Sequence, residues 1–302
     1  MSTKLPYSSR QRMLKTIYHE ITDRIPKGEL CITDEVISRE LNCSNVGFEE
    51  RLEFVNFMGL DAYTISPIIQ CEKDKLPNLK EVKWPDIKKW CNTSLFTFAI
   101  IDGALETGMR TQGWVDFLKL TKKSPSSLVS FVDMVEKLNI SIFRKLSEIG
   151  IDGIILADDV AFSQGLIVNP ETIRKYFLPS LARQVEEIRS LEIFAFYHSD
   201  GNYQEIIPDL IDINFHGIQC IEKHSGMDIV DLQKKYGDKI CLWGHIDTDD
   251  TLKATTHDYL QKYSDSLSML SKQKGLILGT NCGLYKGTGI AGLKAIYQSI
   301  EV

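Results

Sequence analysis

Eight short apolar runs recur along this chain, and their spacing narrows the fold more than any other feature. They are "GELCIT" (28–33), "YTIS" (63–66), "LFTFAII" (95–101), "IDGIILA" (151–157), "IFAFY" (193–197), "HGIQCI" (216–221), "KICLWG" (239–244) and "GLILG" (275–279). Continuous apolar runs of this length fit strands buried on both faces, as in a parallel sheet. Amphipathic stretches lie between them. In "NPETIRKYFLPSLARQVEEIRSL", Asn169 is placed as an N-cap and Pro170 as the first helical residue. Ile173, Phe177, Leu178, Leu181 and Val185 then recur at helical spacing. "DIVDLQKKYGDK" stops at Gly237 and "TDDTLKATTHDYLQKYSDSLSMLSKQKG" at Gly275, both read as left-handed helix ends. Strands alternating with helices predict an α/β fold, a (β/α)8 TIM barrel in one domain over residues 1–302. Within an N-terminal extension over 1–26, "SSRQRMLKTIYHEI" predicts an extra helix. A doubly wound open sheet is the alternative.

The 302 residues are enough for one such barrel. A net charge of −6 lacks the basic footprint that nucleic acid requires. The apolar runs reach only about seven residues, far short of a membrane span. "MSTKLPYSSRQRML" has no signal-peptide core, so the expected location is cytoplasmic. Cys31, Cys43, Cys71, Cys91, Cys220, Cys241 and Cys282 form no Cys-x-x-Cys pair and read as reduced thiols. Those inside apolar runs read as small hydrophobes.

In a barrel of this kind the catalytic groups gather where the strands end. Those ends carry Thr33 and Asp34, Ser66, Asp102, Asp158 and Asp159, His198 and Asp200, Glu222, His245 and Asp247, and Asn281 and Cys282. The opposite ends, at 150–151, 192–193 and 238–239, show no such cluster. His198 and Asp200 are two apart, so an extended backbone turns both to one side. With Cys282 from a strand farther round, they make a zinc-type ligand set with a fourth position open. Glu222 stands within reach as a further ligand or a base. Asp158 and Asp159 are candidate acids, or simply caps of the following segment. Asp247 reads better as a helix cap before "TDDTL", and His216 and His224 as loop histidines. Tyr197, Tyr203 and His245 are candidate substrate contacts, with Phe162 and Tyr285 as further aromatic residues at the mouth. "GTNCGLYKGTG" lacks the Gly-Lys-Ser/Thr order of a phosphate loop, and no Asp-x-His-x-x-Gly corrinoid motif occurs.

Four segments, "GIDGIILADDVAFSQGLIVNPETIRKYFLPSLARQV", "HSDGNYQEIIPDLIDINFHGIQCIE", "GMDIVDLQKKYGDKICLWGHIDT" and "GLILGTNCG", together resemble the uroporphyrinogen decarboxylase superfamily. The resemblance implies the same barrel. The decarboxylases proper carry a Met-Arg-Gln-Ala-Gly-Arg segment for substrate carboxylates, whereas here Arg24 and Arg39 are the only arginines between residues 20 and 50. The other branch holds corrinoid-dependent methyltransferases, which exchange a methyl group with cobalamin on a separate carrier protein. Its thiol-methylating members bind zinc through a His-x-Cys pair and a later Cys. The resemblance places His198 and Cys282 as the first and last ligands, with Asp200 where the middle cysteine stands. A carboxylate there implies a harder, more Lewis-acidic zinc suited to an O-methyl substrate. The reading expected is therefore a zinc methyltransferase acting with a corrinoid protein, with a homodimer as the usual assembly. Its alternatives are a metal-free carboxy-lyase using Asp158 or Asp159, and a barrel without chemistry.

Overall fold

A computed structural model describes residues 7–69, 73–270 and 274–300. Cys71 lies outside them. The eight runs are eight parallel strands: β1 (Gly28–Glu29), β2 (Ala62–Ile65), β3 (Phe96–Asp102), β4 (Gly153–Ala157), β5 (Phe194–His198), β6 (Gly217–Gln219), β7 (Cys241–Ile246) and β8 (Leu276–Thr280). They pair in chain order. A parallel bridge between Lys27 and Leu278 joins the last strand to the first. The Leu278 N–H donates to the Pro26 carbonyl at 2.9 Å across the same seam. This is the (β/α)8 TIM barrel, and the open-sheet alternative is set aside by that closure. Among the described residues no helix is long and apolar enough to cross a membrane.

Alternation along each strand divides the side chains between two cores. Phe96, Phe98, Ile155, Phe196, Trp243 and Ile277 fill the barrel, while Ile154, Leu156, Ala195 and Tyr197 face the helices. Aromatic rings fill the interior because small residues stand opposite them. A Cβ at Gly153 would run into the Phe98 ring, and one at Gly217 into Phe196. This parity decides which residues beyond the strand ends can reach the mouth.

The helix Ser9–Ile17 closes the opposite end, started by a Ser8–Gln11 capping box. Its Met13 packs into the barrel core. Beside it Arg12 and Arg24 meet the buried Asp61 at 2.5 and 2.6 Å, and the Lys27 N–H donates to the same carboxylate at 2.9 Å. The N-terminal rim therefore does hold a charged cluster, contrary to the sequence reading. Its cations come from the extension, not from the strand ends.

Asn169 accepts from the Glu171 N–H at 2.8 Å, as a cap should. The helix begun at Pro170–Thr172 widens into a π turn over Ile173–Phe177 before continuing as Leu178–Ser190. Pro179 explains the widening, since it has no N–H for the regular bond. Gly275 is left-handed (φ 70°), but Gly237 ends its helix at φ −66°, so the left-handed stop expected there is absent.

Candidate metal centre at the barrel mouth

Strand β5 ends in His198, whose inward parity follows from Phe196 below it. The ring is buried, and its Nδ1 lies 2.5 Å from the Gln219 side-chain oxygen at the end of β6. Gln219 in turn donates to the Asn281 carbonyl at 2.6 Å. An amide oxygen only accepts, so Nδ1 carries a proton and the ring is held with Nε2 turned to the mouth. Nε2 faces Asp159 at 3.7 Å and Asp200 at 3.9 Å.

The Ser199–Gly201 turn sets the next carboxylates. Ser199 serves the turn itself: its hydroxyl donates to the Asp200 carbonyl and accepts from the Val160 N–H. The Asp200 N–H donates to Asp159 at 3.0 Å. Gly201 sits at φ 79°, where a Cβ would press on the Ala161 and Phe162 backbone, and its N–H donates to Glu222 at 2.8 Å. Ser225 donates to the same Glu222 oxygen at 3.0 Å. Cys282 then approaches Asp200 at 3.5 Å and the free Glu222 oxygen at 3.8 Å.

The sequence reading missed the fourth member. Cys220 is fully buried one residue beyond β6, and its sulfur joins the ligand atoms of Cys282, Asp200 and Glu222, all within 4.8 Å of one another. A second group, Asp159, His198 and Asp200, shares the Asp200 carboxylate. In sequence Cys220 reads as a small hydrophobe in an apolar run. The signal was its spacing, because Cys220-x-Glu222 repeats His198-x-Asp200 one strand later.

These groups strain one another electrostatically. Burial raises the Asp200 carboxyl, and the negative charges of Asp159 and Glu222 add to the effect while His198 opposes it. Contact with Cys282 raises the Cys220 thiol well above its usual range, and burial adds to it. Across the mouth, Asp102 at the end of β3 is pushed up to about 6 by burial despite Arg110 at 3.1 Å.

Other expected site residues stand elsewhere. Asp158 faces outward with Leu156, is fully buried, and accepts the Glu106 N–H at 2.9 Å at the start of the helix Ala104–Gln112. It anchors that helix and cannot act at the mouth, whereas Asp159 can. Tyr197 and Tyr203 are also fully buried, donating to the Asp158 and Cys220 carbonyls at 3.2 and 2.8 Å. Neither reaches a substrate: the residue next to an inward His198 must face outward, and the Tyr203 hydroxyl is spent on the backbone. His245 turns into a separate side cavity. Asp247 is the N-cap of Thr248–Lys253 and accepts from Asn281 at 2.5 Å. His216 accepts the Ala195 N–H at 3.0 Å; burial, aided by Arg189, lowers it to about 4. Phe162 and Tyr285 remain partly exposed.

The family model described as uroporphyrinogen decarboxylase (URO-D) matches residues 103–301. No curated protein matches the sequence. Among solved structures, a methyltransferase from Methanosarcina mazei superposes with a TM-score of 0.74 at 16% identity, covering 97% of this chain and 98% of that one. A sugar phosphate isomerase/epimerase from Parabacteroides distasonis gives 0.52 at 12% identity, covering 91% and 96%. A D-allulose 3-epimerase from Methylomonas gives 0.52 at 11%, covering 92% and 98%. At these identities the likeness is one of fold.

Proposed function

Because the chain belongs to the uroporphyrinogen decarboxylase family, we propose that it is a methyl-transferring member of it. In this reading it moves a methyl group between a small O-methyl substrate and the cobalamin of a separate corrinoid protein, using zinc at the barrel mouth. The observation that carries the reading is the convergence of Cys220, Cys282, Glu222 and Asp200 within 4.8 Å. Two thiols and a carboxylate suit zinc, whose catalytic sites take three protein ligands and leave one position open. A divalent cation would also relieve the crowding of acidic groups, releasing their protons as it binds. When bound, zinc would polarise the ether oxygen.

The chain's own residues supply the rest. Cys220, Cys282 and Glu222 would hold the metal, with Asp200 between them and His198. Gln219 fixes the imidazole, and His198, Asp159 and Asp200 can hold a proton for the departing oxygen. A phenol ionises near 10 and a thiol near 8.5, so an oxygen leaving group has the greater need of a proton. Cys220 restores the second thiolate that Asp200 was expected to remove, so help to the leaving group comes from proton donation. The metal-free decarboxylase reading loses Asp158, which is sealed beneath a helix, and is left with Asp159 as its proton donor.

The test is metal analysis coupled to turnover. Gently purified protein should carry about one zinc per chain and transfer methyl groups from phenyl methyl ethers to reduced cobalamin. Methyl transfer that persists undiminished after zinc removal would contradict the proposal.

A further inference from the structure

The mouth carries more acid than one divalent ion offsets. Asp159, Asp200, Glu222, Cys220 and Cys282 gather there, and the ion-pair contacts of Asp159 and Asp200 run to the His198 ring. With these five groups ionised, one divalent ion held by the thiolates leaves an excess of about three negative charges. Away from the thiolates, Asp159, His198 and Asp200 form a group of their own, whose ligand atoms all lie within 4.8 Å of one another.

The imidazole is the observation that points to a ligand. His198 is 7% exposed, and among the described residues its ring hydrogen-bonds only through Nδ1, to Gln219. Nε2 turns to the mouth and stands 3.7 Å from Asp159 and 3.9 Å from Asp200. Those separations are too long for hydrogen bonds. They suit two donors sharing one ion, because a pair of bonds of about 2.0–2.2 Å spans at most about 4.4 Å. A ligating histidine is commonly oriented in this way, with its other nitrogen donating to an oxygen behind it. Asp159 is set by the Asp200 N–H, which donates to its Oδ1 at 3.0 Å. Both carboxylates are partly exposed, so an ion can enter and water can complete its coordination. Asp200 belongs to both groups: the oxygen that faces His198 also lies 3.5 Å from the Cys282 sulfur.

We infer that Asp159, His198 and Asp200 bind a second divalent metal ion beside the one assigned to the thiolates, with Asp200 shared between the two. One imidazole and two carboxylates are a harder donor set than a pair of thiolates and accept manganese(II). Manganese stands at the weak end of the divalent series, so this site fills when the ion is supplied in excess. The donors that hold a proton in the proposed reaction are the ones that take the ion. The inference takes the thiolate site as its neighbour and needs no methyl transfer.

Manganese(II) added to the whole protein, already supplied with zinc, tests it, because thiolates favour zinc over manganese. Metal analysis and electron paramagnetic resonance should find about one bound manganese per chain with the zinc retained. The manganese signal should carry the coupling of a directly bound imidazole nitrogen. Asp159→Asn should weaken manganese binding at least about tenfold, with zinc content and melting temperature unchanged. His198→Ala should remove the nitrogen coupling, and the isosteric asparagine variant covers the case in which the alanine variant unfolds. Manganese that displaces zinc instead of adding to it would overturn the inference. So would no binding at millimolar manganese, binding unchanged by Asp159→Asn, or a signal without nitrogen coupling. Protein that binds manganese through these residues but takes up no zinc would instead count against the proposed function alone.

Discussion

The two ends of the barrel each carry a cluster of charged groups, and they are built in opposite ways. At the closed end Asp61 is wholly buried and saturated by Arg12, Arg24 and the Lys27 N–H. Arg12 also holds Asp23 below the usual carboxylate range. At the mouth three carboxylates and two thiols converge, and the ion-pair contacts of Asp159 and Asp200 run to an imidazole rather than to a lysine or arginine. The first arrangement satisfies every charge from within the chain. The second leaves donor atoms facing one another, which is stable only if protons or a cation stand between them. Stability and chemistry are thus separated along one axis.

The largest expected effect is at the closed end. Asp61→Ala leaves the buried Arg12 and the half-buried Arg24 without their shared anion and should cost about 3–5 kcal/mol in urea unfolding. Zinc content per folded molecule should not change. If the variant loses zinc while keeping its fold, the two ends are not independent.

Glu29 sharpens the contrast, being a sealed carboxylate of another kind. It is held by Thr280 and Tyr297 in the wall, and burial pushes it up to about 7. A raised carboxyl favours the folded state in its protonated form. Its contribution is full below the ordinary carboxylate pKa and is lost as pH rises through about 7. Across that window wild type should lose about 3 kcal/mol relative to Glu29→Gln, since each pH unit between the unfolded and folded pKa values changes stability by about 1.4 kcal/mol. Parallel stability profiles for the two proteins would remove Glu29 from the sealed class.

Smaller effects are expected at the mouth. Gln219→Leu removes the acceptor that orients His198 and should lower kcat about 10- to 100-fold with zinc retained. The pH profile should shift with it, which a packing defect alone would not do. The exposed His224–Asp247 contact should contribute least. His224→Ala should change stability by no more than about 1 kcal/mol and leave metal content alone.

How much of this was legible depended on parity. The eight apolar runs marked eight strands because burial on both faces leaves a continuous signature. His198, Asp200 and Cys282 stood out as chemical groups at strand ends. Asp158 and Tyr197 were misplaced because adjacent residues on a strand cannot both face the mouth, and the inward phase had to be read from His198. Cys220 was hidden by its apolar neighbours, although the -x-Glu222 spacing marked it. The Asp61 cluster was invisible for another reason: its arginines lie 37 and 49 residues away in sequence and meet it only when the extension folds beneath the barrel.

The central claim is that thiolates from two different strands, Cys220 and Cys282, share one metal ion. Replacing zinc by cobalt(II) makes each thiolate visible as a charge-transfer absorption. Cys220→Ala and Cys282→Ala should each remove about half of that band, the double variant all of it, and Cys31→Ala none, with ligand stoichiometry as expected for a zinc-type site. A Cys220→Ala protein whose cobalt spectrum matches wild type would contradict the account.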